Sequence, residues 1–374
     1  MRVVHVIESL GIGGAESALV ALAGAQVRGG AEVTVVALES QKSLADDLER
    51  AGVRVVVLGA PRSANPLPKA AKLRAILHSV KPDVVHSHLL HADILVGLAA
   101  SGAARVTTLH NMMFDAHPAR TLTQLFRKRA LGLILHRRFD SRIAVSRAVG
   151  DHYAAHLKLG PPIIVPNAVR QPQAGLTDRA GLASQLGLDP EARWIVNPAR
   201  LVVEKGQCGL IAGFIAAQGA CPDLQLVIAG KGPLYDKLRD AALPAGNRVV
   251  LTNELPPAQL GALMGHAHFG ILPSLSEGAP VALVEMMLAG LPIIASAVGG
   301  IPELIRDGET GLLIERGEPA AVSAAITRLA HDPALAAKCA SGARELAEKI
   351  YRSDEIAAAI GAVYQQAIER RASS

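Results

Sequence analysis

At 374 residues, half hydrophobic and only 3% aromatic, the chain has room for two domains with cores of Ala, Val, Leu and Ile, the side chains of buried parallel strands. Three cysteines without C-x-x-C spacing (Cys208, Cys221, Cys339) argue against a disulfide framework or structural zinc and fit a reduced, cytoplasmic protein. The net charge of +5 is split unevenly: residues 1–170 carry 21 Lys+Arg against 12 Asp+Glu, the remainder 17 against 21, so the first part is basic and the second acidic.

The N-terminal MRVVHVIESL is too short in its apolar run for a signal peptide and reads as a strand, Val3–Ile7. No uncharged apolar run of about 18 residues marks a membrane span. A glycine-rich turn, ESLGIGGAE, leads into a helix over Ala15–Ala25. Gly11 and Gly13 fit the dinucleotide fingerprint, but Glu16 stands where its third glycine belongs. What remains is a turn able to offer backbone N–H groups to a phosphate. Strands follow at Val33–Leu38, which ends in Glu39, and at Val53–Leu58, then a basic amphipathic helix at Lys69–His78.

Asp83–Ser87 runs into H-S-H. His86 and His88 share a strand face and His91 follows. Three close histidines suggest a metal, but no neighbouring carboxylate or cysteine completes a set; His88, at the strand's carboxyl end, suits a cleft lining. Arg105–Leu109 is the next strand, with His110 and Asn111 just beyond its end, where parallel α/β sheets bind ligands. In Ala119–Phe139, leucines alternate with Arg127, Lys128, Arg129, Arg137 and Arg138. Such a helix either lies on an anionic membrane or is a solvated domain helix. Strands at Ser141–Ser146 and Ile163–Val165 precede a Gln-, Pro- and Gly-containing linker that opens Gln171–Ala192.

Trp194–Asn197 starts a second sheet. ARLVVEKG (Ala199–Gly206) then puts Arg200 and Lys205 on either side of a turn into a helix at Cys208–Gln218, a concentrated anion site. Leu224–Ala229 leads to Gly230, Lys231 and Gly232, and Val249–Thr252 leads to Asn253, Glu254 and Leu255. Helices are expected at Ala320–Ala330 and Ile356–Arg370.

The densest signal is ILPSLSEGAPVALVEMMLAGLPIIASAVGGI, Ile271–Ile301. It reads as strand (Phe269–Leu272), loop, helix (Val281–Leu288) and strand (Ile293–Ala297). Pro280 suits the first helical turn, and Gly290 and Pro292 mark its stop. Glu277 in the loop and Glu285 in the helix stand eight residues apart, a rise of about 12 Å if both were helical. That is the reach from a sugar ring past a diphosphate to a ribose, and a carboxylate accepts two hydrogen bonds in parallel from a vicinal diol. Glu285 is the only charge on its apolar helix, and burying an unpaired carboxylate is costly, so it is expected to face a site.

The pattern PS-x-x-EG-x-P-x-x-L-x-E-x-x-x-x-G-x-P, continuing through Asp307–Leu313 (DGETGLL), resembles the retaining glycosyltransferases of family 4. The resemblance implies the GT-B fold: two Rossmann-like domains facing a central cleft, with a C-terminal helix crossing back to the first. The expected parts are an acceptor-side domain at 1–170, a nucleotide-sugar-binding domain at 171–352 and the returning helix at 353–374. It implies that Arg200, Lys205, Gly13 and Gly14 assist a departing diphosphate, that Glu277 holds sugar hydroxyls, that Glu285 binds the ribose and that His110 borders the transferred sugar. The donor-binding set is completed by Glu16, Gly230, Lys231, Leu255, Gly278, Ala279, Pro280 and Val281. No cofactor or metal is expected, since no D-x-D occurs. The implied partners are a nucleotide sugar, a glycan or lipid-linked acceptor and an anionic membrane surface, with no nucleic acid. The role would lie in cell-envelope or exopolysaccharide synthesis, in the cytoplasm or peripherally on the inner membrane face. Two other readings stay open: an NAD-dependent oxidoreductase, supported by Glu39 but lacking the third glycine, and a catalytically inactive binding protein of the same fold.

Overall fold

A computed structural model describes residues 1–61, 65–99, 102–116, 122–171 and 178–373, with 115, 116 and 122–127 described by backbone alone. The chain divides into two compact units, Met1–Arg170 with Tyr351–Ser374, and Gln171–Ile350.

Unit 1 is built on seven parallel strands: β1 (Arg2–Ile7), β2 (Glu32–Ala37), β3 (Arg54–Val57), β4 (Val84–His88), β5 (Ala104–Leu109), β6 (Ser141–Ala144) and β7 (Ile163–Ile164). Their order is β3-β2-β1-β4-β5-β6-β7. Val3, Val4, Val6 and Ile7 are all buried, as expected of a strand covered on both faces. The chain reverses its direction of growth between β1 and β4, the switch point where doubly wound sheets open a ligand crevice. Leu89, immediately after β4, has φ of +73°, a strained conformation for a branched side chain. The last helix, Ser353–Ala372, buries Ile356, Ile360, Val363, Tyr364 and Ala367, a stripe of helical period. It packs on helix Gly14–Arg28 and on β5 and β6.

Unit 2 repeats the plan with β8 (Arg193–Pro198), β9 (Leu224–Ala229), β10 (Val249–Leu251), β11 (Phe269–Leu272), β12 (Ile293–Ser296) and β13 (Leu312–Ile314), all parallel. Their order is β10-β9-β8-β11-β12-β13, with the switch point between β8 and β11. All three cysteines are free. Among the described residues no helix is long and apolar enough to cross a membrane.

The expected helices and strands form within a few residues of their sequence bounds. The helix expected after Gly230–Pro233 is Tyr235–Ala242; helices at Ala45–Arg50, Leu90–Leu98, Met113–Ala116, Pro257–His266 and Pro333–Ile350, and strand β13, are additional. The basic helix expected at Lys69–His78 forms as Pro66–Val80, but Lys69 does not face solvent. Its side chain is buried and its Nζ donates to the Pro61 carbonyl, while Lys72 and Arg74 are exposed. On helix Leu122–Arg137, Lys128 sits 4.7 Å over the Phe114 ring and Arg129 is exposed. The side chain of Arg127 lies outside the described residues.

Candidate active site

Unit 2 gathers its candidate side chains on the loops that leave the carboxyl ends of β8, β9, β10 and β11. After β8, a single helical turn, Val203–Lys205, ends at Gly206 with φ of +69°. A Cβ there would lie 2.1 Å from the Pro273 carbonyl oxygen of the β11 loop, so only glycine lets the two loops meet. The Leu275 N–H donates to the Glu204 carbonyl at 2.7 Å and fixes the contact. Lys205 Nζ is thereby placed 2.6 Å from Glu277 Oε1, and the same oxygen accepts from Ser274 Oγ at 2.6 Å. Glu277 is buried at 7% exposure; a carboxylate this deep is stable because it is paired and hydrogen-bonded. The β12 loop closes over it. Gly299 has φ of +52°, a Cβ there would stand 1.7 Å from the Glu277 carbonyl oxygen, and the Gly300 N–H donates to Gly278 at 3.1 Å.

The remaining sequence-derived donor residues surround this pair. Gly230 would place a Cβ 2.0 Å from the Ala199 carbonyl, and Gly232 one 2.4 Å from that of Leu201, so the β9 loop lies flat against the β8 loop. Lys231 pairs with Glu254, and Leu255 is buried. Arg200 is exposed, and the Gln207 amide donates to its carbonyl at 2.9 Å. Gly278 and Ala279 lead to Pro280, which caps helix Val281–Leu288 in an extended conformation. Glu285 is half-buried on that helix.

In unit 1, Gly13 caps helix Gly14–Arg28 in an extended conformation without a side-chain cap bond. Glu16 folds back over this terminus: its Oε2 would lie 2.4 Å from a Cβ on Gly13, and Ser9 Oγ approaches its Oε1 at 3.4 Å. Glu16 is an acid in the first turn of this helix, where a negative charge is favoured.

His110 belongs to a buried cluster that sequence reading found only in part. His5 on β1 and His86 and His88 on β4 share a face, since His5 is in register with His86 and Ile7 with His88. His5 Nε2 lies 2.8 Å from Gln26 Oε1, and His5 Nδ1 lies 3.0 Å from His88 Nε2. His88 Nδ1 lies 3.0 Å from His110 Nε2. His86 meets Tyr364 Oη and Thr108 Oγ1, each at 2.7 Å. Burial pushes His5 and His110 down to about 4, with hydrogen bonds from Gln26 and Asn167 opposing. His86 and His88 are held well below the ordinary range, first by burial and then by their neighbours. His88, Thr108, His110 and Asn167 line a cavity of about 20 Å³, room for one water. On the opposite face of β4 and β5, Asp93 accepts from Ser87 at 2.6 Å and Thr107 at 2.7 Å. Burial raises its pKa to about 7 against those bonds. His5, Gln26, Asp93 and Tyr364 carry no local motif. The available signal was a polar H-S-H inside an otherwise apolar strand, which asks for partners from both faces.

Residues 12–170 match the family described as Glycosyltransferase Family 4, and residues 178–346 match Glycosyl transferases group 1. The chain is 29% identical to a glycogen synthase of Mycobacterium tuberculosis over 84% of this chain and 72% of that protein. It is 27% identical to an alpha-maltose-1-phosphate synthase of Mycolicibacterium smegmatis over 86% and 91% respectively. The crystal structure of Anabaena Alr3699/HepE in complex with UDP-glucose superposes with a TM-score of 0.82 at 22% identity, covering 98% of this chain and 99% of that one. Both halves of the chain, the paired doubly wound sheets and the loops at their switch points are accounted for together: the chain belongs to the family 4 glycosyltransferases, with the GT-B fold.

Proposed function

We propose that this enzyme transfers a sugar, with retention at the anomeric carbon, from a nucleoside diphosphate to a glycan, lipid-linked or small-molecule acceptor. The observation that carries the reading is the Lys205–Glu277 pair, held by two glycine-locked loops at the unit 2 switch point. Departure of a nucleoside diphosphate builds negative charge on the leaving phosphate, and preorganised cations give the largest electrostatic assistance. Lys205 and Arg200 are assigned to that charge. Glu277, oriented by Lys205 and Ser274, accepts from the hydroxyls of the sugar, and Glu285 from the ribose. With one oxygen committed to both partners, Glu277 is better suited to positioning than to attack. The acceptor then approaches on the leaving group's own face. His110 is assigned to the transferred sugar, as the resemblance implies. Gly230, Lys231, Leu255 and Gly278–Val281 complete the donor side in unit 2, and Gly13, Gly14 and Glu16 are assigned to the donor diphosphate by the resemblance. Relatives support a nucleotide sugar as donor: one is named a GDP-mannose-dependent mannosyltransferase, and the HepE structure holds UDP-glucose.

The acceptor is assigned to unit 1 on its charge. A basic surface suits a phosphate-bearing lipid-linked glycan at an anionic membrane, in keeping with envelope or exopolysaccharide synthesis in the cytoplasm or at the inner membrane face. Screening hydrolysis of UDP-, GDP- and ADP-sugars, with product configuration read by NMR, tests the reading. One preferred donor with retained configuration supports it. Inversion refutes the retaining assignment, and hydrolysis of none of them, with no saturable nucleotide binding, refutes the donor assignment.

A further inference from the structure

In a parallel α/β sheet the amino ends of the strands share an edge with the carboxyl ends of the helices, so basic side chains collect there to meet helix carbonyls. At β5 and β6 of unit 1 they collect beyond that need. Arg105 on β5 and Arg142 on β6 are joined by Arg138, just before β6, and by Arg370 and Arg371 at the end of helix Ser353–Ala372. Arg105 is buried, Arg142 and Arg371 are half-buried, and Arg138 and Arg370 are exposed. Strand register brings the first two together, since Arg142 stands opposite Thr107, two residues along from Arg105.

The hydrogen bonds of these arginines go mostly to neutral oxygens. Arg105 Nη1 donates to the Arg138 carbonyl at 3.3 Å, Arg138 Nε to that of Gly97 at 2.9 Å and Arg142 Nη1 to that of Leu135 at 3.0 Å. Arg370 Nη1 donates to the Asp140 carbonyl at 3.2 Å, and Arg371 Nε to that of Gly102 at 3.0 Å. The carboxylate set among them is Asp140. Its Oδ2 already accepts from the Arg105 backbone N–H at 2.7 Å, and Arg371 Nη1 approaches the same oxygen at 3.4 Å. Asp83, just before β4, is engaged by Arg2, whose backbone N–H donates to it at 2.7 Å.

The charges at this edge do not balance. Helices Leu90–Leu98, Leu122–Arg137 and Ser353–Ala372 all end here, each worth about half a negative charge. With Asp140 they set about −2.5 against the five guanidiniums. Roughly two positive charges remain, the charge of one phosphate group near pH 7. Burial lowers the pKa of Arg105, and Arg371 and Arg138 lower it further against the opposing pull of Asp140. Arg142 is lowered by burial and then by Arg370. Like charges held this way are relieved by a multivalent anion, and the planar guanidinium fork matches phosphate oxygens two at a time. At about 3.3 Å per residue, the length of β5 sets this edge about 20 Å from His110, so it is separate from the candidate active site.

We infer that this edge of unit 1 is a second anion site, in which Arg138, Arg142, Arg370 and Arg371 hold a phosphate group and Arg105 supplies charge from behind. The inference does not depend on the donor or acceptor assignments. An anion here links the starts of two strands to the last helix and so fastens that helix to the sheet. The phosphate arrives either as a free ion or as the head group of a phospholipid.

Thermal unfolding followed by far-UV circular dichroism tests the site, with inorganic phosphate exchanged for chloride at constant ionic strength. The unit 1 transition should rise saturably, by about 4 °C at ten times the Kd, while Trp194 emission reports unit 2 separately. Arg138→Gln combined with Arg370→Gln should abolish the rise, and Lys205→Ala should leave it intact. If the arginines serve only to clamp carbonyls, the double variant loses stability equally with and without phosphate, and that result overturns the inference. So does a rise that chloride reproduces. Nε–H signals of arginine-labelled wild type, assigned with single glutamine variants, give a reading that does not require the double variant to fold. Those of Arg138 and Arg371 should move saturably with phosphate; if they stand still, there is no site. Co-sedimentation with vesicles then separates the sources. Phosphatidic acid vesicles that pellet the wild type but not the double variant assign the site to a lipid head group. Vesicles that leave both in the supernatant assign it to a free phosphate species.

Discussion

Lowering the pH from 7 to 5 should destabilise unit 1, by an amount that the buried side chains fix. His5 is fully buried, with a folded pKa of about 4 against 6.5 for the exposed group. A depressed histidine pKa means that the unfolded chain takes up the proton first. Stability is therefore present above pH 6.5 and is lost as pH falls toward 4. At pH 5 the unfolded His5 is almost fully charged and the folded one is not, a loss of about 2 kcal/mol. His110, with the same folded value, adds about as much. Asp93 works in the opposite sense. Its folded pKa of about 7 lies above the ordinary 3.8, so its burial penalty is greatest at neutral pH, and its relief between pH 7 and 5 returns about 2 kcal/mol. His86 and His88 are depressed like His5, so the net loss should be at least about 2 kcal/mol. Urea unfolding at pH 7 and pH 5 measures it, with far-UV circular dichroism reporting both units. The chain's single tryptophan, Trp194, is buried in unit 2 under Arg179, so its emission serves as the internal control. The unit 1 transition should move to lower urea at pH 5. In Asp93→Asn, whose amide oxygen still accepts from Ser87 and Thr107, the loss should grow by about 2 kcal/mol. A unit 1 transition that holds or strengthens at pH 5 would refute the account of a neutral, buried histidine cluster.

Lys205→Ala should cut turnover by about 10² or more and cost about 3 kcal/mol, because Glu277 is left buried without its cation; an alanine variant with wild-type turnover removes the pair from the mechanism. Gly299→Ala should destabilise unit 2 by more than about 2 kcal/mol and weaken donor binding, since its Cβ would meet the Glu277 carbonyl at 1.7 Å; unchanged melting and affinity would show that the loop moves freely. Activity should persist in excess EDTA, and a loss restored by Mg²⁺ or Mn²⁺ would transfer the role given to Arg200 and Lys205 to a metal. Co-sedimentation with liposomes should rise with anionic lipid, fall with salt and weaken when Lys72, Arg74 and Arg129 become glutamine, at about 1 kcal/mol each. Protein that stays in the supernatant at low salt would sink the membrane reading alone.

The sequence by itself determined the elements and the family. Continuous Val, Ile and Leu runs marked the parallel strands, because strands buried on both faces need no polar alternation. Proline and glycine marked the helix ends around Val281–Leu288, where Gly290 does adopt φ of +77°. The E-x7-E stretch and the R-L-x-x-x-KG loop were legible because their residues lie close together along the chain. Helix Pro333–Ile350 was passed over; the residues it buries, Cys339, Ala343 and Ala347, are small and carry no motif. The tertiary structure alone decided what those residues touch. Lys205 reaches Glu277 across 72 positions only because β8 and β11 are neighbours, and Gly206 can be read as obligatory only once Pro273 is known to press on it. The same holds for His88. As sequence it was a residue at a strand's carboxyl end, suited to an open cleft. Residues 5, 26, 110 and 364, brought together with it by strand order and by two helices on one face, make it part of a buried hydrogen-bonded cluster. Local patterns encode which residues are hidden, whereas partners hundreds of residues apart are fixed by the order of strands and by the helices laid across them.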